Sequence, residues 1–187
     1  KFLEADHPDR IASLNNLGRL LWDGGRLPEA EAAFRAALAG AKADQNLATS
    51  KAMVKLARVL SAQGKLAEAE IVAREALALR RRLLDREHLL VREAFHDLVG
   101  LLQRQDRFGE VETLYRDRLQ LMESQLPEGE PEITHTLVSF TATLIAAKKF
   151  AEAEPFARES LALREKQIPG DWRIFLSRSL LGAALVG

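Results

Sequence analysis

Apolar residues return along this chain at helical spacing, in blocks that themselves return at a nearly fixed interval. In "HPDRIASLNNLGRLLWD", Ile11, Leu14, Leu17, Leu20 and Leu21 predict one helix. Gly24 and Gly25 stop it, because glycine accepts the left-handed geometry of a helix end. Pro28 opens the next helix, where a missing N–H costs nothing, and Ala30, Ala33, Phe34, Ala37 and Leu38 form its apolar stripe. The stretch "GRLPEAEAAFRAAL" from Gly25 comes back as "GKLAEAEIVAREAL" from Gly64, "DRFGEVETLYRDRL" from Asp106 and "KKFAEAEPFARESL" from Lys148. These starts lie 39, 42 and 42 residues apart, and a fixed period of this size marks a repeat architecture.

The pattern predicts helices over 9–23 with 28–42, 47–62 with 67–83, 89–105 with 109–124, and 131–147 with 151–166, then a ninth over 172–186. Strand alternation and β-type turn pairs are missing from the sequence, so the fold class is all-α. Pro127 with Pro131, and Pro169 with Gly170, mark loops. The shorter first interval implies a loop trimmed by three residues near Ala43–Asn46. Pro155 is expected at the edge of a first helical turn, bending it slightly. In every repeat a glutamate precedes an arginine by four residues: Glu31–Arg35, Glu70–Arg74, Glu112–Arg116 and Glu154–Arg158. That is the favourable order for an exposed helical pair, about 0.2–0.5 kcal/mol each, so these charges read as solvated helix surface rather than catalysts.

The sequence pattern resembles the tetratricopeptide repeat family. The family motif is met by Leu14, Leu17, Gly18, Leu21, Ala30 and Phe34 in the first repeat, and by Met53, Leu56, Ala57, Leu60, Ala69 and Ala73 in the second. The third supplies Phe95, Leu98, Val99, Leu102, Val111 and Tyr115, and the fourth Leu137, Phe140, Thr141, Leu144, Ala153 and Ala157. The period near 42, with "HPD…SLNNL" and "AEAEP", looks like the longer subclass of kinesin light chains, which many bacterial multidomain proteins also carry. The resemblance implies a right-handed superhelical solenoid of antiparallel helix pairs. Four full repeats, at about 7–45, 46–87, 88–129 and 130–170, would be followed by a partial one at 171–187.

The resemblance further implies a concave groove lined by first helices that binds peptide segments, with asparagines on the ligand backbone. Carried over, the groove positions are Asn15, Asn16, Arg19, Trp22 and Asp23; Lys51, Val54, Lys55 and Arg58; Glu93, His96, Asp97 and Arg104; and His135, Val138 and Ser139. Asparagine is a poor mid-helix residue, so Asn15 and Asn16 are expected to have a partner, either a ligand or the neighbouring repeat. Trp22 is a groove aromatic or inter-helix packing; Trp172 reads as packing at a repeat junction. Arg19, Lys51, Lys55 and Arg58 form a patch for acidic groups or ordinary solvated surface. With Glu93 and Asp97 reversing the sign, the preferred peptide is expected to be acidic at one end and basic at the other.

Composition narrows the chemistry. The 187 residues are 47% hydrophobic, enough for a continuous core. Balanced charge, 27 basic against 27 acidic side chains, argues against bulk attraction to nucleic acid or an anionic membrane. Cysteine is absent, which removes disulfides and thiolate chemistry and is compatible with the expected cytoplasmic location. No apolar run approaches the roughly 20 residues of a membrane span, and "KFLEADHPDR" does not read as a signal peptide. No phosphate-binding glycine loop, nucleophile elbow or metalloprotease motif appears in the sequence, so neither an enzyme nor a cofactor is expected. His7 and His88 read as helix-entrance caps or loop packing. His96 and His135, with Glu93 and Asp97, have zinc-ligand chemistry but no zinc motif, and no metal is assigned.

"KFLEA" looks like the tail of an earlier second helix, and the last predicted helix presents Ile174, Leu181 and Leu185 without a partner. The chain is therefore expected to be an excerpt from a longer array, able to self-associate through its open C-terminal end. The favoured function is a protein-interaction scaffold that binds a partner peptide in its groove. Self-assembly of the array and ligand-linked regulation of an attached catalytic domain are the rivals.

Overall fold

The computed structural model describes residues 8–40, 45–85, 88–127 and 130–187. Among them lie nine α-helices and no strand: α1 (Pro8–Asp23), α2 (Leu27–Gly40), α3 (Leu47–Ala62), α4 (Leu66–Leu83), α5 (Leu89–Gln103), α6 (Phe108–Gln125), α7 (Pro131–Ala146), α8 (Phe150–Gln167) and α9 (Arg173–Val186). Every end falls within two residues of the span predicted from apolar periodicity. Two compact units divide the chain, Lys1–Gln105 carrying α1–α5 and Asp106–Gly187 carrying α6–α9. In the first unit the paired helices α1/α2 and α3/α4 pack together, α2 meets α3, α4 meets α5, and α1, α3 and α5 touch in succession. In the second, α6 meets α7, α7 meets α8, α8 meets α9, and α7 touches α9.

The turn inside each repeat explains the recurring sentence in the sequence. Its first residue takes the left-handed conformation every time: Gly25 (φ 73°), Gly64 (φ 78°), Asp106 (φ 56°) and Lys148 (φ 59°). Around Gly25 the amide of Arg26 reaches back to the carbonyl of Leu21 at 2.8 Å, and that of Gly25 to Trp22 at 2.8 Å. Lys65 to Leu60 (2.9 Å) with Gly64 to Ser61 (3.1 Å), and Lys149 to Leu144 (2.8 Å) with Lys148 to Ile145 (2.9 Å), repeat the same closure. This is the Schellman arrangement, which satisfies the carbonyls left over at a helix end.

Small residues then let the two helices of a repeat close up. Ala30, Ala69 and Ala153, equivalent positions on α2, α4 and α8, are completely buried. A Cβ added at Gly18 would stand 2.8 Å from the Phe34 ring, so only glycine admits that ring. Ile11, Ala37 and Ala52, with Leu14 and Leu38 beside them, build the core where α1, α2 and α3 meet. In the second unit the Phe140 ring lies 5.4 Å from Tyr115 and 4.7 Å from Phe156, joining α6, α7 and α8.

Several expectations need correction. Leu17 and Leu20 are exposed; the equivalents of Leu17, namely Leu56, Leu98 and Phe140, are buried because the second helix of the preceding repeat covers them. Ile174 is buried against α8, Leu181 is half-buried, and Leu185 is exposed. Trp172 is 72% exposed rather than packed at a junction, since α9 buries only the stripe of Ile174, Ser177 and Ala184. Pro155 lies at the sixth position of α8, beyond the first turn, and the helix continues through it. Asn46 caps α3, its Oδ1 accepting from the Thr49 amide at 3.0 Å, while the rest of the shortened loop, Ala43 and Asp44, lies outside the described residues. His88 Nδ1 accepts from the Leu90 amide at 3.1 Å and so caps α5; His7 lies outside the described residues.

The four Glu–Arg pairs all form, at 2.7 to 2.9 Å, but three of the glutamates are not solvated. The side chains of Glu31, Glu70 and Glu112 keep only 13%, 11% and 16% of their exposure. Glu31 also accepts from Lys65 Nζ at 2.7 Å, and Arg35 goes on to Glu68, so the charges bridge α2 and α4. Glu112 repeats this with Lys149 at 2.7 Å, and Arg116 reaches Glu152 at 3.3 Å, bridging α6 and α8. Bonds from Lys65, Arg35 and Gln63 outweigh burial and hold the Glu31 carboxyl down at about 2.

Candidate functional site

On the first unit, α1, α3 and α5 present the face that carries most of the expected groove positions. Two small cavities open there and share Trp22 and Arg58. One, of about 210 Å³, is lined by Arg19, Trp22, Asp23, Phe34, Lys55 and Arg58. The other, of about 350 Å³, runs from Trp22 and Arg58 to His96, Asp97, Gly100 and Arg104. Trp22 is thus half-buried and lines both hollows. Gly100 helps open the second hollow, because a Cβ there would meet nothing within 4 Å.

Arg58 is not a free cation. Its Nε donates to Asp97 at 2.9 Å and its Nη2 to Glu93 at 2.6 Å. Glu93 in turn accepts from Nη1 of Arg80 at 3.0 Å. Arg80 rises from α4 almost fully buried and also donates to the carbonyl of Leu90. Burial pushes the Asp97 carboxyl above its ordinary value, with Arg58 offsetting part of the effect. Burial pushes Glu93 the same way, but Arg80 and Arg58 outweigh it and leave that carboxyl below its ordinary value. The expected division into a basic half and an acidic half is therefore closed internally: Arg58 neutralises the two carboxylates that were to reverse the sign.

The other expected positions divide as follows. Arg19 pairs with Asp23 at 3.1 Å on an exposed turn. Lys51 is exposed and Lys55 half-buried, and among the described residues neither has an ion pair. Asn15 is half-buried with its Oδ1 enclosed and unpartnered, and Asn16 is exposed; neither amide bonds a neighbouring repeat among the described residues. Val54 and Val138 are buried core residues, contrary to their assignment to the groove, because each faces inward from its helix. Arg104 donates to the Ser61 carbonyl at 3.1 Å, tying α5 to α3. His135 and Ser139 lie on α7 in the second unit, His135 exposed and Ser139 half-buried. Among the described residues no three His, Asp or Glu side chains are grouped to hold a metal ion, and no helix is long and apolar enough to cross a membrane.

Sequence reasoning missed the buried arginines. Arg80 holds α5, and Arg118 reaches Thr136 at 3.4 Å and Glu132 at 3.5 Å on α7. Arg164 donates to the Arg173 carbonyl at 2.5 Å and to Ser177 at 3.1 Å on α9. The signal was available, since the apolar ladder Ala69, Ala73, Ala76 runs straight onto Arg80, as Ala153, Ala157, Ser160 runs onto Arg164.

Sequence models of the tetratricopeptide repeat match residues 48–124 and 10–43, together more than half of the chain. Nothing among proteins of curated function matches it in sequence. In fold it is similar to the nearly identical TPR-like repeats of a kinesin-light-chain-type protein from Podosopora anserina, with 21% identity and a TM-score of 0.74 over 96% of this chain and 87% of that one. BtubC (BKLC) from P. vanneervenii is also similar, at 17% identity and a TM-score of 0.69 over 93% and 71%. A tetratricopeptide repeat protein from Parabacteroides merdae shares 19% identity, with a TM-score of 0.67 over 95% and 60%. With the repeat models on the sequence and the helix pairs, turns and small-residue contacts in the structure, the chain belongs to the tetratricopeptide repeat family.

Proposed function

We propose that the groove of α1, α3 and α5 binds a segment of a partner protein, and that this chain is a protein-interaction scaffold. Tetratricopeptide repeats generally mediate protein–protein interaction, which supports the class of function. The observation that carries the reading is the pair of adjoining hollows sharing Trp22, a half-buried aromatic with open space on both sides. An apolar partner side chain seated against an aromatic wall is the usual anchor of such an interface.

The charges select the rest of the ligand. Glu93 and Asp97 are occupied by Arg58 and Arg80, whereas Lys51 and Lys55, one turn apart on α3, have no ion pair among the described residues. The favoured ligand is accordingly an acidic segment with an apolar anchor, rather than one acidic at one end and basic at the other. Selection from a displayed random-peptide library tests this. The wild-type chain should enrich peptides carrying Asp or Glu beside an aromatic or aliphatic residue, and Lys51→Glu/Lys55→Glu should shift the preference to basic peptides. Enrichment indifferent to that reversal, or lost only with Arg58, would place the ligand elsewhere.

A further inference from the structure

A further cavity lies away from the groove. It measures about 640 Å³ and opens between the second helices α2 and α4, over a floor from α3. Leu38, Met53, Leu56, Val72, Ala78 and Leu79 make it predominantly apolar. Two opposite charges of α4, Glu75 and Arg82, also line it. They stand seven residues apart, two helical turns or about 10 Å along the axis. Both are exposed; among the described residues Glu75 has no ion pair, and Arg82 donates only to the neutral Gln45. The third charged residue at the top of the cavity, Arg35, is already paired with Glu31 and Glu68.

An acid and a base at this spacing on one helix face are self-complementary. A second copy of α4 laid antiparallel brings each Glu75 to the other copy's arginine. Ala78 falls at the midpoint, and so small a side chain lets two helices approach closely. Ile71, 60% exposed one turn before Glu75, continues the same stripe and gives the second copy an apolar knob for the Gln45 end of the cavity. We propose that the chain pairs with a second copy of itself through the outer face of α4, as an isologous two-fold dimer with Glu75 of each copy on Arg82 of the other. This inference does not rest on the groove reading.

The second unit shows why the pairing belongs to α4. There Glu159 and Lys166 on α8 repeat the spacing beside a cavity of about 480 Å³, but Glu123 lines the same cavity. Burial and the Glu123 charge raise the Glu159 carboxyl above its ordinary value. Two copies of α8 would set four carboxylates against two lysines, whereas two copies of α4 balance.

Sedimentation equilibrium from low micromolar to millimolar concentration tests the proposal. The wild-type chain should show a monomer–dimer equilibrium that weakens with salt. Glu75→Arg and Arg82→Glu, each of which turns two attractive contacts into repulsive ones, should weaken it about tenfold or more. The double variant E75R/R82E should restore it. The two single variants mixed together should also pair, since one then supplies only bases and the other only acids. Unchanged helical circular dichroism confirms that the single variants are folded, as expected of exposed side chains without an ion pair among the described residues. Lys51→Glu/Lys55→Glu should leave the equilibrium alone, which separates this surface from the groove. A chain monomeric throughout, a dimer indifferent to both reversals, a double variant that fails to recover, or a dimer abolished by Lys166→Glu would each overturn the inference.

Discussion

At the scale of single residues, one position per repeat carries a backbone constraint. The left-handed turn residue is Gly25 and Gly64 in the first two repeats but Asp106 and Lys148 in the last two. A side chain in that conformation costs roughly 1–2 kcal/mol, and glycine relieves it at some expense in unfolded-chain entropy. Lys148→Gly should therefore stabilise the second unit by about 1 kcal/mol, read as a higher urea midpoint at unchanged slope. Gly64→Lys should do the opposite in the first unit. The small-residue contacts point the other way, since no space is available there. Leucine at Ala69, completely buried, should overpack the contact between α3 and α4 and cost about 1–3 kcal/mol. An unaltered melting temperature for Ala69→Leu would mean that this register of α3 on α4 is wrong.

At the scale of elements, the helices were legible in the sequence and the charges were not. Apolar periodicity reports which face of a helix is buried, and α1–α9 follow it closely because each helix buries one stripe against its neighbours. The Glu–Arg spacing in α2, α4 and α6 reads as a local surface pair, because sequence shows i and i+4 but not what the next repeat lays over them. Lys65 and Lys149 arrive from more than thirty residues away and convert the pair into a bridge between second helices. The same blindness applies to the expected groove positions: place in the repeat points to Trp22, Arg58, His96 and Asp97, which line one hollow, but the capture of Arg58 by Asp97 and Glu93 depends on side-chain reach. Trp172 reads as packing yet is exposed, and Leu17 is exposed where its equivalents are buried, because burial depends on the flanking element as much as on the residue's own helix. The bridge has a pH signature. Glu31 sits at about 2 when folded, far below its ordinary value, so its bonds contribute stability above the ordinary carboxylate range. That contribution is lost as pH falls through the ordinary range towards about 2. Stability of Glu31→Gln should be lower than wild type at neutral pH and converge with it in acid; curves that stay parallel would show that Lys65 and Arg35 do not hold this carboxylate.

At the scale of the whole molecule, a repeat array passes packing from one element only to the next, so its stability is close to a sum of local terms. The two compact units make this measurable, because each carries its own core. In the second, the Tyr115, Phe140 and Phe156 rings lock α6, α7 and α8, and Ala153 is buried completely where α8 begins. Leucine at Ala153 should disturb that core by about 1–3 kcal/mol. Amide exchange in α7 and α8 should then quicken, since opening free energy falls with the local loss. Amides of α3 and α4, whose neighbours are Ala52, Leu60 and Ala73, should keep their protection. The mirror experiment, Ala69→Leu, should quicken exchange in α3 and α4 and spare α8. Hydrogen exchange resolved by helix distinguishes this from a single cooperative domain, in which either change would raise exchange everywhere by the same factor. Separable opening also bears on binding. A ligand on α1, α3 and α5 would stabilise the first unit by mass action and leave exchange in the second where it was, so protection confined to α1–α5 is the footprint expected of a groove-bound acidic peptide.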